Sequence, residues 1–272
     1  QMRRSAVLTA DPPSPPDPAP RRGAHLPLVE PAEDDFPYYN GRPVAITGRR
    51  WLVLMAACAF AFAVLVLPKP FLPDAWQRAV GMILFPLIML VALGWASRGH
   101  WRALFRPLTA GQLGWMLFFA LLNLAVSMAV GVLVTRLYGA EANPLVAGLA
   151  GQTPEQLLGF FTLTIPQLLG EELVTVLPFL ALLTLGTARL GLSRPMAVLL
   201  AWLGSALLFG ALHLPTYGWN LLQCVLVIGS ARLVLSLAYM PTRNLLVSTG
   251  THIINDWLIF AISILLAGLA AG

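Results

Sequence analysis

Charge is the scarcest property of this chain. Of 272 residues only 11% are Asp, Glu, Lys or Arg, while 58% are hydrophobic and the mean hydropathy is +0.76. A soluble domain carries about 25% charged residues, so the deficit excludes an ordinary water-soluble fold and identifies an integral membrane protein. Cysteine is also sparse. Cys58 and Cys224 both fall in apolar runs, offer neither a disulfide framework nor metal-ligand spacing, and read as buried apolar side chains. The net charge of +5 comes without an aromatic–basic surface for reading bases. Nucleic acid is therefore not an expected partner, and the basic excess fits membrane orientation instead.

Residues 1–48 lack apolar periodicity, and they lack the apolar core of a cleavable signal peptide. The stretch DPPSPPDPAP and its charged surroundings predict a disordered or loosely docked tail over 1–48, ahead of a transmembrane helical domain over 49–272. Gln1 ahead of Met2 reads as a remnant before the natural start, so the first span is expected to act as its own insertion signal. No internal repeat is evident.

What is present is a series of long apolar runs. A span needs about 20 apolar residues, and seven candidates fit: 51–67, 80–97, 111–135, 156–186, 196–215, 219–240 and 244–270. The fourth is over-long and contains Pro166 and Pro178, which predict a kink or break and a count of seven to eight. The expected fold is thus an all-α polytopic membrane bundle. With the N-terminus inside, one face holds thirteen arginines: Arg3, Arg4, Arg21, Arg22, Arg42, Arg49, Arg50, Arg98, Arg102, Arg106, Arg189, Arg194 and Arg243. The other holds Lys69, Arg78 and Arg136, so the charge rule favours a cytoplasmic N-terminus, with a bacterial inner membrane as the expected location.

A few ionisable residues remain inside the spans: Glu171, Glu172, His213, Arg232, His252 and Asp256. An ionised group at mid-membrane costs about 2.5–3.5 kcal/mol on insertion scales, so these side chains must face each other or water in the bundle interior. Helical spacing sorts them. Thr164, Gln167, Glu171 and Thr175 form one polar stripe, with Glu172 turned about 100° away. Ser248, His252 and Asp256 stack at four-residue steps beside Asn255, Phe209 lies one turn before His213, and Gly229, Arg232 and Ser236 share a side.

Singly, each has a bland reading: a helix–helix hydrogen bond, a structural ion pair, or a carboxylate that only orients a histidine. Together on three helices, a carboxylate and two imidazoles form a hydrolytic set. A base takes a proton from water, and donors hold the oxyanion. Two histidines and a carboxylate with an open position are equally a catalytic zinc pattern, and the residues alone leave both options standing.

The ordered set Glu171-Glu172, Phe209–His213 and His252–Asp256 resembles the EE, FxxxH and HxxxN/D motifs of the CPBP intramembrane proteases, which include the CAAX prenyl endopeptidases. That resemblance implies glutamate-dependent hydrolysis with no cofactor or obligatory metal. Glu171 would activate water, Glu172 would support it, and His213 would help bind the water. His252 and Asp256 would form the oxyanion side, with Asn255, Arg232, Phe209 and Thr175 in supporting places. The implied substrate is a membrane-anchored or lipidated peptide or protein met in the lipid bilayer; oligomeric state is not implied. A non-catalytic scaffold of the same family, or a transporter using the buried charges as a proton relay, are the alternatives.

Two departures bear on the mechanism. The family motif continues to an arginine where this chain has Val176, and Arg232, the remaining intramembrane cation, is the expected substitute in contact with Glu172 or Glu171. Asp256 stands where many members have Asn, so it must be protonated to serve an oxyanion, or Asn255 must do the donating. A straight fifth span would also carry His213 toward the membrane surface. Either HLPTYGWN tucks into the bundle or the fourth helix breaks, and a wet pocket rimmed by Tyr217, Trp219 and Asn220 is expected there.

Overall fold

The computed structural model describes residues 25–26, 29–31, 34–68, 70–149 and 151–271. Among them all regular structure is helical. α1 (Gly48–Val66) and α2 (Asp74–Ala96) lead through a 3-10 turn (His100–Leu104) to α3 (Ala110–Tyr138) and the short α4 (Pro144–Leu149). Then come α5 (Pro154–Ala188) and α6 (Arg194–Leu212). α7 (Leu221–Gln223) passes through a π-helical turn (Cys224–Ile228) into α8 (Gly229–Thr242), and α9 (Leu245–Ala271) ends the bundle. Seven stretches, with α7 through α8 counted as one, are long and apolar enough to cross a membrane. The chain is a polytopic α-helical membrane protein.

The expected break in the fourth span does not occur. α5 runs as one 35-residue helix through Pro166 and Pro178, so there is no eighth span among the described residues. A proline forfeits one helical hydrogen bond and crowds the preceding turn, but neighbouring helices and Thr side chains can re-satisfy freed backbone groups. Here α5 is the most enclosed span, with 67% of its apolar window buried against 22–39% for the other six. Thr153 and Gln156 start it with a reciprocal capping box, and Pro154 occupies its first turn, where a missing N–H costs nothing.

Residues 1–24 of the sequence read as a tail lie outside the described residues, and Arg3, Arg4, Arg21, Arg22 and Lys69 with them. From Glu30 onward that segment packs onto one end of the bundle. Phe36 and Tyr38 are both buried. The Phe36 ring meets Phe179 edge-on at 4.9 Å and carries the Arg243 guanidinium 3.5 Å above its face. Tyr38 donates its hydroxyl to the carbonyl of His100 at 2.8 Å. Glu30 pairs with Arg194 at 2.8 Å and with Arg243 at 2.9 Å, Asp35 pairs with Arg194 at 2.6 Å, and Asp34 with Arg106. Burial pushes the Glu30 carboxyl up. Hydrogen bonds from Arg194 and the Leu26 amide, with the charges of Arg194 and Arg243, outweigh it and hold Glu30 below its ordinary range. Asp35 is held down against burial in the same way by Tyr39 and Arg194. Arg106, Arg194 and Arg243, which the charge pattern assigned to one face, are thereby gathered at one end.

Candidate active site

The two adjacent glutamates of α5 have opposite surroundings. Glu172 is fully buried. Arg232 of α8 grips it with Nη1 at 2.5 Å and Nη2 at 3.1 Å, and Nδ1 of His252 lies 2.9 Å from Oε1. Arg232 is itself fully enclosed. Its Nε lies 3.4 Å from Ser236 Oγ, and its guanidinium sits 5.2 Å from the Phe209 ring centre. Val176, at the family's arginine position, is part of the apolar core. The cation on Glu172 therefore comes from α8, two spans further along the chain than the α5 turn where the motif would place it.

Glu171 projects into a cavity of about 500 Å³. Gln167, one turn earlier, donates Nε2 to Oε1 at 3.0 Å, and His252 Nε2 stands 3.8 Å from Oε2. Asp256 Oδ1 is 3.7 Å from the same imidazole nitrogen. Both separations exceed hydrogen-bond length, so His252 is anchored through Nδ1 and turns Nε2 toward the cavity between two carboxylates. Thr175 donates to the Glu171 backbone carbonyl at 2.9 Å, which ties down the helix rather than the carboxylate.

His213 caps the C-terminus of α6 and lines the same cavity. Its Nδ1 lies 2.8 Å from the Phe209 carbonyl oxygen, which can only accept, so Nδ1 carries a hydrogen and the neutral ring has its lone pair on Nε2. Phe209 links the groups, with its ring centre 4.6 Å from His213 and 6.2 Å from His252. Close backbone contact places His213. A Cβ on Gly210 would stand 2.5 Å from the Cys224 carbonyl oxygen in the π-helical turn, so α6 can approach that turn only through glycine. Next to Glu171, a Cβ on Gly170 would clash with the Phe85 ring of α2.

The segment after His213 folds back in tight turns. Tyr217 N bonds the His213 carbonyl at 3.2 Å, and the two rings stack with centres 6.5 Å apart. Tyr217 lines the cavity, accepts from Asn143 at 3.3 Å, and has its phenol pushed up to about 12 by burial and then by the Asp256 charge. The expectation for its neighbours is corrected. Trp219 is exposed, Asn220 accepts the Gln223 amide to cap α7, and Pro215 and Thr216 line the cavity instead. A side chain that caps a helix start is spent on the backbone.

Sequence reasoning missed the contribution of α3. Asn123 donates Nδ2 to Asn255 Oδ1 at 3.0 Å, and Asn255 donates Nδ2 to Asp256 Oδ1 at 2.9 Å. Asn123 and Ser127 both line the cavity. The available signal was two polar residues one turn apart in the apolar run LLNLAVSMA. Among the described residues no three His, Cys, Asp or Glu side chains are grouped to hold a metal ion.

A polytopic helical membrane protein with a carboxylate–imidazole cavity in its interior is the class that fold and site define. Residues 153–258 match the family described as Rce1-like, type II CAAX prenyl endopeptidase Rce1-like, which agrees with the CPBP resemblance carried by the motifs. The match supports a CAAX-type intramembrane protease function in general, and a hydrolase as the enzyme class. No curated protein and no solved structure matches the chain.

Proposed function

We propose that this protein is an intramembrane endopeptidase in which Glu171 is the general base, acting on a membrane-anchored or lipidated peptide within the bilayer. The observation that carries the reading is the division of labour between adjacent carboxylates. Glu172 is neutralised by Arg232 and holds His252 in place, while Glu171 keeps an oxygen open to the cavity. A water between Glu171 and His213 Nε2 gives its proton to Glu171, and the hydroxide adds to the scissile carbonyl carbon. His252, when protonated on Nε2, donates to the developing oxyanion. Collapse of the tetrahedral intermediate breaks the C–N bond, and Glu171 returns the proton to the leaving amine.

Asn255 supplies a donor beside Asp256, which supports the oxyanion side despite the carboxylate there. The helical domain over 49–272 is the catalytic unit in this reading, since α1, α2 and α3 furnish walls of the cavity as well as α5, α6 and α9. The gathering of Arg106, Arg194 and Arg243 at the N-terminal end supports a cytoplasmic N-terminus in a bacterial inner membrane.

The test uses purified protein in proteoliposomes with a fluorogenic peptide carrying a farnesylated cysteine near its C-terminus. Cleavage by the unaltered protein, persistence in chelator, and loss in Glu171→Gln support the glutamate mechanism. Cleavage by Glu171→Gln at the unaltered rate would sink it.

A further inference from the structure

α3 lies outside the matched segment 153–258, yet it gives the cavity two polar side chains. Asn123 is 1% exposed, and its amide starts the relay through Asn255 to Asp256. The direction of that relay follows from chemistry. An ionised Asp256 can only accept, so Asn255 must turn its NH₂ to Asp256 and its oxygen to Asn123, which must then donate. Asn123 Oδ1 is left over, and it has no protein partner; neither has the buried Ser127 Oγ one turn further along α3. A buried polar atom without a partner is costly, and two on side chains that border one cavity call for a ligand with complementary groups.

The surrounding wall narrows the choice. On the α1 and α2 side Phe62, Leu65, Met82 and Phe85 offer apolar surface, and Arg78 adds a charged side chain. An acyl or prenyl chain can use that surface but has no hydrogen to give Asn123 Oδ1, and a lipid ester has acceptors only. A peptide backbone has both groups, an N–H for the amide oxygen and a carbonyl for the serine hydroxyl.

We infer that Asn123 and Ser127 form a backbone-recognition subsite that binds one N–H and one C=O of the peptide substrate beside Glu171. The inference rests on the endopeptidase reading and adds to it a binding element from outside the matched domain. Asn123 is at once a substrate contact and a positioning residue for Asn255 and Asp256.

The experiment is done in the Glu171→Gln background in nanodiscs, with a fluorescein-labelled farnesyl-cysteine peptide as probe and anisotropy as readout. Ser127→Ala is expected to weaken binding about tenfold and Ser127→Thr to restore it, the scale of one neutral hydrogen bond. N-methylation of successive peptide amides should find one position that weakens binding in the Asn123 protein and costs nothing further in Asn123→Ala. If Asn123→Ala does not fold, the Ser127 pair decides alone. Unchanged affinity in Ser127→Ala overturns the subsite, as does an N-methyl penalty equal in Asn123 and Asn123→Ala proteins. Because cleavage by the unaltered protein and its loss in Glu171→Gln are measured separately, failure of the subsite and failure of the endopeptidase reading give different results.

Discussion

Arg232 and Glu172 close on one another across two helices, with Nη1 on Oε1, Nη2 on Oε2 and neither side chain reached by solvent. A pair so enclosed is expensive to break from one side, because the survivor is left charged without the partner that neutralises it. Arg232→Met should therefore destabilise by about 3–5 kcal/mol, read as a fall in the detergent melting temperature. The double variant Arg232→Met with Glu172→Met should recover much of that stability, yet stay inactive because His252 loses its anchor. Arg232→Lys, with a point charge where a fork is needed, should fall between the two.

Glu171 makes one side-chain hydrogen bond, from Gln167, and faces the cavity. Its removal should spare the fold and cost the chemistry. Glu171→Gln is expected to lower the cleavage rate by about 10²–10⁴ while leaving the stability within about 0.5 kcal/mol of the unaltered protein. A large loss of stability would place Glu171 among the structural residues instead.

Gly210 gives the sharpest packing prediction. A methyl there meets a backbone oxygen at 2.5 Å, which cannot swing aside, so Gly210→Ala should displace the α6 end that carries His213. The expected cost is about 1–3 kcal/mol with a larger proportional loss of activity. Gly131→Ala on α3 meets nothing within 4 Å and serves as the matched control, neutral or slightly stabilising. Equal melting temperatures for the two variants would contradict the close approach of α6 to the π-helical turn.

The N-terminal segment supplies a pH dependence. Glu30 is held below its ordinary range when docked, so the undocked segment binds more protons near pH 4.5 and docking is favoured by raising the pH. The stabilisation is complete above the ordinary glutamate value and is lost as pH falls through the lower, docked value. Protection of the amides of residues 34–46, taken relative to intrinsic exchange rates, should be high near neutral pH and fall as the pH drops below the ordinary glutamate value. Glu30→Gln should flatten that profile, and an unchanged profile would detach Glu30 from the docking.

Much of this was legible in the chain because membranes make exceptions conspicuous. A carboxylate or imidazole in an apolar run has few places to go, which is why Glu171, Glu172, His213, Arg232 and His252 could be singled out and why they adjoin a single cavity or its buried floor. Of the kink or break expected at Pro166 and Pro178, the break does not occur, because local propensity says nothing of the tertiary packing that encloses α5. Trp219 and Asn220 were misplaced because nothing in HLPTYGWN distinguishes a rim residue from a helix cap. Asn123 and Ser127 passed unremarked for another reason. They are neutral, and the cost of burying them only becomes visible once their partners are known to be missing. The docked segment from Glu30 to Tyr39 was obscured by composition, since its prolines and acids read as tail while its aromatic rings do the packing.

The Glu30–Arg243 pair joins residues 213 positions apart. Membrane helices enter the bilayer largely in the order they are synthesised, so Glu30 waits at the surface until nearly all the spans are in place. Its pairing with Arg194 can begin earlier, but the Arg243 arm, clasped over Phe36, can be added only after α8 has been inserted. α8 also delivers Arg232 to Glu172. The same helix therefore neutralises the interior carboxylate and fastens an early-made segment to the loop before α9, which makes the arrival of α8 the moment at which Glu172 is charge-balanced.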